Sequence, residues 1–218
     1  MGWTRIGTFS ACAAFLLLLV LHFIPHGKDL NPVDHWLSEY VLSDSLPARI
    51  LMRLAFLMLA LAALSVAVLV NGGLVRWLFL LSTLGLALMP FADTYANNGY
   101  RYDLNWPYEA GEWHQIGLYA AIGAALLGIA LHVFRSRNST SSEAALLGAA
   151  VSATIVQIFV VAVGTSKLVY ASAGSLPGPI VTFGGVTERV IVVTMLAWVI
   201  SFCLRRAEVP GEERHGIS

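Results

Sequence analysis

Charge is scarce in this chain: Asp, Glu, Lys and Arg make up 12% of its 218 residues, against 57% apolar. With a mean hydropathy of +0.73, this excludes an ordinary soluble domain, in which about 25% of residues are charged. The chain belongs instead among polytopic membrane proteins. Formal net charge is zero, so no sequence-wide basic field argues for nucleic acid as a partner. Cysteine is nearly missing. Cys12 and Cys203 both fall in apolar runs expected near the cytoplasmic side, which argues against a disulfide framework and leaves them as packing residues. Internal repeats are lacking, and the apolar runs leave no room for a separate soluble domain.

What the sequence does have is six apolar runs, near Ile6–Ile24, Leu54–Val70, Leu74–Ala92, Gln115–Phe134, Ala144–Ser166 and Val186–Leu204. Each is near the length that a helix rising 1.5 Å per residue needs to cross about 30 Å of hydrocarbon. The expected fold is an all-α integral membrane protein, a bundle of six transmembrane helices over residues 1–204 with a polar cytoplasmic tail over 205–218. The first run passes into His22-Phe23-Ile24-Pro25-His26 without a small-residue cleavage pattern, so it reads as a retained helix.

If all six runs cross, one face carries nine of the thirteen acids and four of the six histidines. These are Asp29, Asp34, Glu39, Asp44, Asp93, Asp103, Glu109, Glu112 and Glu188, with His22, His26, His35 and His114. The opposite face holds Arg5, Arg76, Arg135, Arg137, Arg205, Arg206 and Arg214, mostly in short loops and tails of the kind that orient topology. Both termini are therefore expected in the cytoplasm and the acid-rich face outside, in a bacterial cell membrane.

The connectors differ accordingly. Asn71-Gly72-Gly73 predicts a tight antiparallel turn between the second and third helices. The stretch from Arg135 to Glu143 is small, polar and basic, with Ser142-Glu143 offering acceptors near a helix N-terminus. Outer loops are expected from Pro25 to Arg53, from Asp93 to His114 and from Val169 to Gly185. The first contains Val33, Trp36, Leu37, Tyr40 and Val41 at the three-four spacing of an interfacial helix. The second is dense in Tyr and Trp, as at headgroup depth. Gly123, Ala124, Ala125 and Gly128, then Gly148, Ala149, Ala150 and Ala153, suggest close helix approach.

The strongest candidate constellation joins Ser38-Glu39 and Asp34-His35 to Asp93, after the third apolar run, and His114, before the fourth. An acid at the edge of hydrocarbon is costly and invites a functional explanation. His35, Asp93 and His114 have the chemistry of a zinc or other divalent-metal site with an open position for water, although no local ligand spacing marks them. Without a metal, His114 or His35 serves as general base and Ser38 as nucleophile, but no strained elbow surrounds Ser38, which suits helix capping as well. Lys167, Glu188 and Arg189 share a depth at which they can pair or hold an anionic headgroup, with Trp113 beside it. His22 and His132 stand at opposite depths, which argues against a haem between them.

The segment ending in Ser38-Glu39-Tyr40, Pro90-Phe91-Ala92-Asp93, Trp113-His114-Gln115-Ile116-Gly117 and Gly185-Val186-Thr187-Glu188-Arg189 together resemble the bacterial and archaeal six-helix membrane family catalogued as domain of unknown function 998. The resemblance implies six membrane helices with Ser38, Asp93, His114 and Arg189 gathered on one face, and no assigned reaction. The leading expectation is an enzyme acting on a membrane lipid or isoprenoid-like substrate, with Asp93 and His114 as acid/base or metal-binding groups. A non-catalytic partner subunit, homo-oligomer or lipid-binding assembly factor is the alternative. A transporter ranks third, because Ser82, Thr83, Ser152, Thr154 and Gln157 are the main interior polar groups and helix-to-helix hydrogen bonds account for them.

Overall fold

The computed structural model describes residues 2–24, 45–91, 110–135, 140–170 and 184–208, with side chains described except at 110–116, 157, 159–170 and 184–185. Six helices and no strand occur among the described residues: α1 (Gly2–Leu21), α2 (Leu46–Leu69), α3 (Gly73–Leu88), α4 (Ala110–Arg135), α5 (Ser141–Tyr170) and α6 (Gly184–Glu208). Four stretches are long and apolar enough to cross a membrane: Gly2–Leu21, Leu46–Leu69, Gly117–Arg135 and Val186–Glu208. The apolar stretches Gly73–Leu88 and Ser141–Val156 are shorter. At 1.5 Å per residue the sixteen residues of α3 reach about 24 Å.

Consecutive helices pack antiparallel, and α1 meets α6 to close the order. The near end of the bundle holds the start of α1, and the far end holds its finish at Leu21. Near-end contacts bring Gly7 of α1 against Ser65 of α2 and Cys203 of α6. A far-end contact joins His22, just past α1, to Arg189 in the first turns of α6.

The outside of this bundle is apolar. Phe9 is 70% exposed, Trp77 68% and Ile155 62%, while Ser10, Ser65, Ser82 and Glu143 are buried. Large apolar side chains facing out along the helices, with polar ones turned in, fit hydrocarbon rather than water as the solvent. Cys12 is on this outer surface, so it is not the packing residue its sequence position suggested; Cys203 is buried as expected.

Helix ends depart from the apolar runs by up to eight residues. α2 begins at Leu46 and not after Arg53, since Ser45 stands at the N-cap position and Pro47 in the first turn, where a missing N–H costs nothing. Arg49 and Arg53 interrupt the apolar run without interrupting the helix. α4 begins at Ala110, which puts Glu112, Trp113 and His114 in a helix and not in a loop. α5 extends to Tyr170 and includes Lys167, and α6 runs to Glu208, past the expected start of a tail at residue 205. The α2–α3 turn is as expected: Gly72 and Gly73 have φ of 64° and 65°, a region that glycine enters without Cβ strain. Arg76 Nε then donates to the Ala67 carbonyl at 3.1 Å, satisfying one of the acceptors that the end of α2 leaves open.

Two devices fasten the near end. Thr140 and Glu143 form a reciprocal capping box at the start of α5, with the Glu143 N–H donating to Thr140 Oγ1 at 3.3 Å and the Thr140 N–H to Glu143 Oε2 at 3.4 Å. Ser142 does not cap; its hydroxyl bonds to that of Thr140. The other Glu143 carboxylate oxygen pairs with Arg205 of α6. Nearby, Trp198 stacks between Phe79 and Phe202, at 5.9 and 5.2 Å between ring centroids, and the His132 ring meets Trp198 and Phe202 edge-on.

Candidate functional site

Between the helices lies an elongated cavity of about 60 Å³, partly open to the outside. Its lining runs from Met52 to Ala63 on α2, from Leu118 to Ile129 on α4 and from Glu188 to Val199 on α6. Each of these spans is twelve residues, or eleven helical steps, so the slot is about 16 Å long. α1 contributes Leu18, and α3 contributes Phe79, Ser82 and Leu86. Phe79 belongs to the aromatic stack and closes the near end as a floor.

Beside the cavity, small residues bring α3 and α4 close together. At Gly85 of α3 an added Cβ would lie 2.6 Å from the Gly117 carbonyl oxygen and 2.9 Å from Ala121 Cβ, and at Gly128 it would lie 2.9 Å from the Phe79 ring. The helices therefore approach each other closely at these glycines. Gly123 and Gly148, grouped with these in the sequence, have nothing within 4 Å of an added Cβ, and Ala149 is exposed.

Two polar groups face this otherwise apolar space: Ser82 and Glu188. Ser82 is 1% exposed and its hydroxyl has no hydrogen-bond partner. That is unusual among buried hydroxyls, and it sets Ser82 apart from Thr83 and Thr154, whose hydroxyls donate to the carbonyls four residues back at 2.8 Å. Those bonds stay within one helix, contrary to the expected helix-to-helix links, and Ser152 is exposed. Glu188 is 6% exposed at the far end of the slot.

Beside Glu188, Arg189 Nε donates to His22 Nε2 at 2.9 Å. With Nε2 accepting, the ring proton belongs on Nδ1, which donates to the Leu18 carbonyl at 2.6 Å. His22 is thereby tied into the α1 terminus. Arg49, expected in the first outer loop, belongs to α2 and lies one turn beyond Met52 toward the far end, with its Nε buried and without a hydrogen-bond partner.

Of the site residues expected from sequence, Glu188 and Arg189 stand together at the far end of the cavity. Trp113 and His114 belong to the first turns of α4 at the same end, and Lys167 to the last turn of α5, but their side chains lie outside the described residues. Ser38, Glu39, His35 and Asp93 lie outside them altogether, as do the interfacial helix and most of the three outer loops. Among the described residues no three His, Cys, Asp or Glu side chains converge on a metal position. His22 and His132 occupy opposite ends of the bundle, consistent with the argument against haem. No family model, curated protein or solved structure matches this chain.

Proposed function

We propose that this is a multi-pass protein of the cell membrane, crossing it six times with both termini in the cytoplasm, and that it holds the apolar chain of a lipid or isoprenoid-like molecule in its cavity. The observation that carries the reading is the slot itself: apolar along its length, with Phe79 at its near end, and polar at the end where Glu188, Arg189 and His22 gather. An apolar lining with a few polar groups at one end is suited to a hydrophobic ligand oriented by those groups. In this reading the far end faces outward, and Asp93 and His114, following α3 and within the start of α4, act there as acid and base on the headgroup, with or without a divalent metal such as zinc.

Non-catalytic chain binding is favoured as a second reading by one observation, the tying of His22 and Arg189 into the helix ends, which gives these two groups a positioning role. Asp93→Asn and His114→Ala separate the two readings. An enzyme predicts that both variants insert normally and abolish a change in cell lipid composition produced by the wild type. A binding protein predicts identical lipid profiles for wild type and variants, with the cavity occupant retained. Topology is checked beforehand by a cysteine placed at Asn98, expected to react with an impermeant reagent in intact cells; reaction only after lysis would reverse the face assignment.

A further inference from the structure

Arg49, Met52 and Phe56 follow one another at three-four spacing on α2, so they share one helix face, and Met52 and Phe56 line the cavity. Arg49 therefore continues the cavity wall by one turn beyond its far end. Its Nε is buried and has no hydrogen-bond partner, although a guanidinium is permanently charged and buried donors are nearly always paired. On α6, Arg189 sits next to Glu188 at the same end and gives its Nε to His22. Glu188 has a partner of its own. Among the described side chains at this end three guanidinium groups, those of Arg49, Arg53 and Arg189, stand with one carboxylate, Glu188, above a slot that carries no other charge.

We propose that the occupant of the cavity is an anionic amphiphile, with its chain in the slot and its phosphate or carboxylate oxygens bonded by Arg49. The inference rests on the chain-binding reading and adds the charge class of the ligand. The guanidinium fork matches the paired oxygens of either anion. A cationic head would meet the like charges of Arg49, Arg53 and Arg189, and a neutral alcohol would gain no charge-assisted bond from them.

The test uses the full chain, stripped of lipid in a neutral detergent and offered an alkyl phosphate, an alkyl carboxylate, an alcohol and a trimethylammonium of one chain length. Bound adducts are measured by native mass spectrometry. At least one of the two anions is expected to bind about tenfold more tightly than the alcohol, and Arg49→Gln to reduce that preference to within about twofold while alcohol binding persists. The tighter anion identifies the head as phosphate or carboxylate. Equal binding of alcohol and anions by the wild type, or an undiminished preference in Arg49→Gln, overturns the proposal while leaving chain binding intact. Failure of the wild type to bind any of the four overturns chain binding itself. Persistent alcohol binding also shows that Arg49→Gln is folded.

Discussion

Arg205→Leu is expected to destabilise the bundle by about 3–5 kcal/mol, because it strips the counter-charge from a carboxylate with no access to solvent. Glu143 is 0% exposed, and Arg205 is its ion-pair partner across the α5–α6 contact. In the single variant the carboxylate keeps only the Thr140 N–H among the partners described above. The double variant Arg205→Leu with Glu143→Leu is expected to recover most of the loss, since apolar residues replace a buried pair at little net cost. It retains a deficit of about 1 kcal/mol for the broken capping box. Unfolding midpoints in detergent measure all three proteins. A single-variant loss below about 1 kcal/mol, the range of surface ion pairs, would mean that the pair does not fasten α5 to α6.

The second large effect is expected at Gly85. A leucine there must displace the Gly117 carbonyl, which an added Cβ would approach to 2.6 Å, and the Cβ of Ala121 at 2.9 Å. The first obstacle is backbone, so no side-chain rotation relieves it, and the α3–α4 contact has to open. The expected loss is about 1–3 kcal/mol, accompanied by weaker retention of any cavity occupant, because Leu118, Ala121 and Leu86 line the slot beside that contact. Gly123→Ala is the control: Gly123 is exposed, and an alanine Cβ there meets nothing within 4 Å. Helix propensity alone predicts a gain of about 0.5–1 kcal/mol for it. Equal losses at Gly85 and Gly123 would show that α3 and α4 do not meet at their glycines.

The contrast between these two glycines shows what the sequence can express. Gly123 and Gly128 look alike in a row of small residues, yet only Gly128 faces Phe79; which small residue meets a neighbour depends on helix rotation, which composition does not encode. Helix number and the α2–α3 turn were readable because apolar length and positive φ at Gly72-Gly73 are local properties. The capping box is also local, spelled Thr140-Ser141-Ser142-Glu143, but several hydroxyls compete for the cap position and only the helix start at Ser141 selects Thr140. Glu143 pairing with Arg205 was not readable, since 62 residues separate them.

The site divides in the same way. Glu188 and Arg189 drew notice as charges at the edge of an apolar run, and they do mark the far end of the cavity. Arg49 precedes the apolar run, and nothing local signals that the helix starts before the hydrocarbon and carries a guanidinium on its cavity-facing side. The cavity itself leaves no trace in sequence: it is the space between residues such as Phe56, Ile122 and Val192, each an ordinary apolar residue on its own helix.

The central claim, a hydrophobic chain held inside the bundle, is met most directly by native mass spectrometry of the protein purified from its own membrane in mild detergent, with Val192→Phe alongside. Val192 lines the slot one turn beyond Glu188 toward the floor, so a phenylalanine there fills the space the chain would occupy. The account predicts a bound species of defined mass in the wild type and its loss in Val192→Phe, with both proteins folded. Wild-type protein that carries no such species, or a Val192→Phe variant that carries the same species equally well, would contradict it.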